Sequence, residues 1–171
     1  IGLGYDVQGN VLNKSGQGYE FDLGNRLRRS VGKEWHAYDG HGRRVLSCTP
    51  TACDYQQYGS DGKLYYHRDN RSAKHFNNIY LGNSLVAIWE LPTAGGAVTV
   101  KYQHTDALGS PVAITDASRN VTERTEYEPY GRVGNRALRD GPGYTGHTED
   151  AATGLVYMQQ RYYDPGIGRF L

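Results

Sequence analysis

Apolar and polar positions alternate strictly along several stretches of this chain. Val98, Val100 and Tyr102 alternate with Thr99 and Lys101, and Val121 to Tyr127 alternates again, with Glu123 and Arg124 among its residues. A period of two sends successive side chains to opposite faces, so both stretches predict half-buried β-strands. Leu85 to Trp89 reads as a buried strand, Pro111 to Asp116 as another, and the apolar run Leu155 to Tyr163 as a final one. No segment sustains a 3.6-residue period, and Asp150-Ala151-Ala152 predicts at most a short helical turn. Gly134 to Gly143, rich in Gly and Arg, predicts a loop.

Between strands a turn phrase keeps returning. Tyr5-Asp6-Val7-Gln8-Gly9-Asn10-Val11 comes back as Phe21-Asp22-Leu23-Gly24-Asn25-Arg26-Leu27 and as Tyr38-Asp39-Gly40-His41-Gly42-Arg43-Arg44-Val45. A worn copy is Tyr58-Gly59-Ser60-Asp61-Gly62-Lys63-Leu64. The leading aromatics stand 16, 17 and 20 residues apart, a period that fits one supersecondary unit. Asp and Asn bond their own main chain and Gly supplies positive φ, so each unit predicts a β-hairpin. A single hairpin is marginal alone, and successive units must pair into a larger sheet.

These phrases resemble the YD repeats of rearrangement-hotspot (Rhs) proteins, teneurins and the C components of ABC-type insecticidal toxins. The second half resembles the Rhs repeat-associated core. His104-Thr105-Asp106-Ala107-Leu108-Gly109-Ser110-Pro111 matches one landmark of that core and Tyr127-Glu128-Pro129-Tyr130-Gly131 a second. Gly143-Tyr144-Thr145-Gly146, Asp150 to Leu155, Arg161-Tyr162-Tyr163-Asp164-Pro165 and Gly168-Arg169-Phe170-Leu171 follow in family order. The resemblance implies YD hairpins over 1–103 and a core end over 104–171, in one continuous β structure that is a fragment of a larger protein. It also implies an aspartic self-cleaving centre whose acids lie beyond Leu171. Asp164 is then expected to make the turn before Pro165, with Arg161 and Arg169 helping to position the segment that follows.

The net charge is +1 with acids and bases interspersed, which gives no electrostatic case for nucleic acid or an anionic membrane. No apolar run approaches a membrane span. Fifteen tyrosines supply buried area that a low aliphatic content would otherwise deny the fold. Cys48 and Cys53 flank a predicted four-residue hairpin loop, so a disulfide and two free thiols both remain open. His104 and Asp106 could pose as a base and its orienter, but no nucleophile matches them and a turn role is favoured. No catalytic, cofactor or metal site is expected within the chain.

The reading is an all-β, curved antiparallel sheet of tandem hairpins, a segment of a spiralling shell. About sixteen strands at ~4.8 Å would make a ribbon about 77 Å long. That is half a turn around a toxin domain about 36 Å across. By resemblance its job is structural: to house a toxic C-terminal domain of a bacterial polymorphic toxin, secreted or at the cell surface, until a secretion system delivers it. Its expected partners are the rest of the parent shell and that domain. The alternatives are a surface adhesion or carbohydrate-recognition module, and part of a self-cleaving region.

Overall fold

The computed structural model describes residues 2–171, and its strands form two antiparallel sheets. Thirteen strands pair in chain order in the first, from β1 (Leu3–Tyr5) to β13 (Val121–Arg124). The second also follows chain order: β14 (Gly141–Pro142), β15 (Thr148–Asp150), β16 (Leu155–Met158), β17 (Arg161–Asp164) and β18 (Arg169–Phe170). The fold is all-β, as the patterning requires. Among the described residues its one helical element is a single 3₁₀ turn at Tyr144–Gly146.

The organisation departs from a single ribbon of about sixteen strands. The apolar run Leu155 to Tyr163 is two strands, not one, because the chain reverses at Gln159 (φ 58°) without any Gly, Pro or Asn to signal it. Past Asp150 the chain makes a turn closed by Thr153 and Gly154 N–H donating to the Asp150 carbonyl, and no helix starts there. The loop that begins at Gly134 ends at Gly141, where β14 starts. Residue 103 lies inside β11 (Thr99–Thr105), and the sheets part between Arg124 and Gly141.

The repeated phrase folds the same way each time. At Asp39 the N–H donates to the Arg43 carbonyl (2.9 Å) and the Gly42 N–H donates back to the Asp39 carbonyl (3.0 Å). Asp39 Oδ1 accepts from the N–H groups of His41 and Arg43, and Oδ2 from Arg43 Nε, all at 2.9 Å. Asp6, Asp22 and Asp116 repeat this pattern, and Asp106 repeats its backbone part. The third residue after the Asp is left-handed: Gly9, Asn25, Gly42 and Gly109 have φ of 90°, 59°, 79° and 89°. The register slips by one residue before each turn, a bulge that adds twist. Glu128 to Arg132 makes the same two backbone bonds, both 2.8 Å, so the Tyr127–Gly131 landmark is another copy of this turn.

Curvature follows from which strands touch which. Thirteen strands would measure roughly 58 Å across if flat, and five roughly 19 Å. Yet β18 reaches the first strand of the large sheet, Arg169 Nη1 donating to Tyr5 Oη (2.9 Å), while the turn after β14 reaches the twelfth. There the Thr145 N–H donates to Ser110 Oγ (3.1 Å), beside β12 (Pro111–Thr115). The large sheet therefore bends around the small one as a wall around a plug. Val11, Tyr19 and Leu27 from the wall pack with Leu155, Tyr157, Tyr162 and Leu171 from the plug side as the apolar core.

The aspartate caps generate a direct test. Asp39→Ala removes three hydrogen bonds from a turn that positions a core strand and is expected to cost about 1–2 kcal/mol. Asp39→Asn, which keeps an acceptor, is expected to recover most of it in denaturant unfolding.

Candidate functional site

Beside its apolar core residues, much of the covered face of the wall is polar. Register places Ser30 opposite Glu34, His36 opposite Ser47, and Ser47 opposite Asp54, and all five are buried. Arg44, which opens β6 (Arg44–Cys48), is 1% exposed at the centre of this face. Its Nη1 pairs with Asp150 Oδ2 of the plug at 2.5 Å and donates to Tyr162 Oη at 2.8 Å, while its main-chain N–H donates to Tyr157 Oη at 2.7 Å. The guanidinium also lies over the Tyr157 ring, 4.5 Å from its centre. Aromatic faces attract a cation, and a planar fork suits a carboxylate, so arginine satisfies every partner here. Lys14 and Asp164 make a second ion pair between the sheets, nearer the first strand.

Burial shapes the charges around this lock. Glu34 is pushed up to about 7 by desolvation, with the Asp150 carboxylate adding to the rise. It accepts from Ser47 Oγ and from Arg71 Nη1, and its Oε2 has no partner. His36, fully buried and stacked on Tyr162 at 5.1 Å, is held well below the ordinary histidine value by desolvation and then by Arg44. Burial also pushes Asp150 up, against the opposing pull of Arg44. Arg71 gathers Glu34, Asp54, Asp69 and Asp140 within 4 Å and carries the network outward. Beside the lock lies a cavity of about 220 Å³ lined by Arg44, Asp54, His67, Arg71, Asp140 and Asp150, among others. His67 Nδ1 sits 2.8 Å from Asp54 Oδ1.

The residues singled out from the sequence fall into three places. Tyr5, Phe21, Tyr38 and Tyr58 end strands before turns, with Gly9, Asn25, Gly42 and Gly62 as the left-handed corners. Tyr38 Oη reaches back to the Leu27 carbonyl at 2.5 Å. Among the core landmarks, His104 lies exposed on β11 with Nε2 3.0 Å from Thr115 Oγ1, Asp106 caps its turn, Leu108 is exposed, and Gly109 lies against Thr145. Pro111 is buried, Tyr127 bridges to Val133, and Gly131 packs so tightly on the Tyr144 ring that no Cβ fits. Tyr163 Oη donates to the carbonyl of Tyr130, whose ring contacts Gly168. Tyr162, Tyr163 and Asp164 are buried plug residues, Arg161 covers Phe170, and Arg169 reaches Tyr5. Asp164 Oδ1 accepts from the Gly166 N–H just past Pro165, so it forms that turn as well as the ion pair. Cys48 and Cys53 are joined by a disulfide across neighbouring strands.

The lock itself was missed, although one signal for it stands in the repeat. The residue five past the turn aspartate, or past its counterparts Gly59 and Glu128, is Val11, Leu27, Leu64, Pro111, Val121 or Val133 in the other copies and Arg44 in this one. A charge at a core register implies a buried counter-charge.

A family model described as the teneurin YD-shell matches residues 3–171, and the chain belongs to that family. A tRNA3(Ser)-specific nuclease WapA of Bacillus spizizenii is 31% identical over 90% of the chain. Double-stranded DNA deaminase toxin A of Burkholderia cenocepacia is 35% identical over 47%, and Teneurin-m of Drosophila melanogaster 23% identical over 98%. The chain spans only 6% of the length of each of these relatives.

Two predictions follow from the lock. Arg44→Met or Asp150→Asn alone strands a buried partner and is expected to cost about 3–5 kcal/mol, whereas Arg44→Met with Asp150→Leu recovers much of it in a double-mutant cycle. Glu34 binds its proton more tightly folded than unfolded, so its contribution falls as pH rises from about 4.5 towards 7. Glu34→Gln is therefore expected to gain on the order of 1–3 kcal/mol over the parent at pH 8 and little at pH 4, as read from urea midpoints.

Proposed function

We propose that this chain is a wall-and-plug segment of a β-shell that contains a toxic polypeptide domain before its delivery from a bacterial cell. The observation that carries this reading is the wall bent around an inward sheet and fastened to it by the buried Arg44–Asp150 pair and the half-buried Lys14–Asp164 pair. Thirteen strands in chain order leave β1 and β13 as edges on which further hairpins can add, the way a spiral wall grows. The polar stretch of the covered face around Arg44 suits a container, because it offers an enclosed chain little apolar surface to unfold against. The relatives support the reading from another side. A nuclease matches 90% of this chain and a deaminase toxin 47% of it, and a role common to two different chemistries fits the matched residues better than either chemistry does.

The remainder of the shell and the enclosed domain are the partners on this account, and the setting is secreted or cell-surface. Among the described residues no helix is long and apolar enough to cross a membrane. One observation favours a second reading, recognition of surface glycans: Trp35, Tyr55, Trp89 and Tyr102 stand 43–48% exposed on the wall's other face.

Limited proteolysis of the full-length protein tests the proposal. On this proposal the toxic domain of the full-length protein is expected to resist protease while residues 1–171 are folded, and to be digested once Asp150→Asn loosens the plug. Digestion at equal rates in both proteins would contradict containment. Glycan-array binding lost with Trp35→Ala would favour the second reading.

A further inference from the structure

The uncovered face of the wall carries aromatic rings in a line. Trp35 on β5 (Glu34–Tyr38) stands between buried Glu34 and His36, and Tyr55 on β7 (Cys53–Tyr58) between buried Asp54 and Gln56. Trp89 on β10 (Ser84–Pro92) stands between buried Ile88 and Glu90, and Tyr102 on β11 precedes buried Gln103. Half-buried Tyr66, on β8 (Leu64–Asp69), points the same way, level with exposed Gln57 and Asn77. Register fixes how these rings lie relative to one another. Trp35 is level with Cys48 and Cys53, two residues before Tyr55. Tyr55 is level with Arg68, two residues beyond Tyr66, and Tyr66 is level with Asn77 and Trp89. Trp89 faces Val100, two residues before Tyr102. Every offset runs the same way along the sheet. At ~4.8 Å per strand and ~3.4 Å per residue, successive rings stand roughly 12, 8, 10 and 8 Å apart on the flattened sheet, and all keep within about 3 Å of one diagonal about 35 Å long.

The surroundings of the rings narrow the partner. Gln57 and Asn77 flank the middle of the line with carboxamides that both donate and accept. Among the described residues Arg68 is the one full charge at outward positions between Trp35 and Tyr102. Single-stranded nucleic acid stacks on aromatic rings but also needs a positive groove, which one arginine does not make. A peptide adds to a sheet at its edge, and these strands are all interior. Trp35, Tyr55, Trp89 and Tyr102, each 43–48% exposed, offer together roughly 300–450 Å², well short of the roughly 800 Å² per partner of a standard protein interface. A slender polymer of sugar rings meets these terms. Its C–H faces stack on aromatic rings, its hydroxyls pair with carboxamides, and its length follows a straight line.

We propose that the uncovered face of the wall binds an extended, unbranched polysaccharide along the diagonal from Trp35 to Tyr102. The proposal rests on the glycan reading and deepens it by naming the kind of chain and its path. It uses the face opposite the covered one, so containment stands or falls separately.

The test runs the full-length protein through affinity gels containing linear xylan, hydroxyethyl cellulose or glycol chitin, or branched glycogen, and titrates it with the matching oligosaccharides of increasing length. At least one linear polymer is expected to retard the protein, with affinity for its oligosaccharides climbing with length until the diagonal is filled. Tyr55→Ala and Trp89→Ala are each expected to weaken binding roughly threefold to tenfold, the scale of one lost aromatic contact, with urea midpoints unchanged. Val7→Ala, at an exposed turn position, is expected to leave binding as it was. No retardation by any linear polymer, or retardation unmoved by Tyr55→Ala and Trp89→Ala, would overturn the proposal. Binding of short or branched glycans that is lost with Trp35→Ala but gains nothing with chain length would spare glycan recognition and overturn the diagonal. A dimer in sedimentation that Trp89→Ala dissolves would assign the face to a second copy of the chain and overturn it as well.

Discussion

A buried arginine must have its counter-charge, and in this molecule that requirement joins two sheets. Arg44 belongs to the sixth strand of the wall and Asp150 to the second strand of the plug, 106 residues away in the chain. Neither can leave the other without exposing a charge to a medium that cannot solvate it. Two tyrosines complete the shell of partners, the Tyr162 hydroxyl oxygen accepting from Arg44 Nη1 and Tyr157 offering its ring face and its acceptor oxygen. The apolar residues bring the sheets together, and the ion pair fixes how they meet.

The wall depends on a second constraint, repeated at each hairpin. A capped five-residue turn with a left-handed corner forces a bulge, the bulge adds twist, and twist of one sense in successive hairpins bends the sheet. Bending brings the first and twelfth strands within reach of one five-stranded sheet. The polar covered face then becomes tolerable, because its groups meet one another: Ser47 meets Glu34, Gln56 meets Asp54, and Arg71 meets four carboxylates. A few meet nothing, Gln103 among them.

Much of this was legible in the residues. The Asp and Gly spacing gave the turns, alternation gave strands such as Thr99–Thr105, and the order of the landmarks gave the family. What stayed hidden was tertiary. Nothing local says that the sheet ends at Arg124, since a new sheet starting at Gly141 differs from a continued one only in what it pairs with. Gln159 and Gln160 reverse the chain without a turn residue. The lock was half visible: Arg44 sits at a register that Val11 and Leu27 fill with apolar side chains, while Asp150 reads as ordinary turn chemistry until the fold delivers it to Arg44.

Amide hydrogen exchange on the 171-residue chain, with and without Asp150→Asn, tests the central claim most directly. If wall and plug are one cooperative unit held by the Arg44 pair, the substitution accelerates exchange together in Leu155–Met158 of the plug and in Arg44–Cys48 and Leu27–Ser30 of the wall. Acceleration confined to the plug, with the wall strands as protected as before, would show that the wall stands without it and would contradict the account.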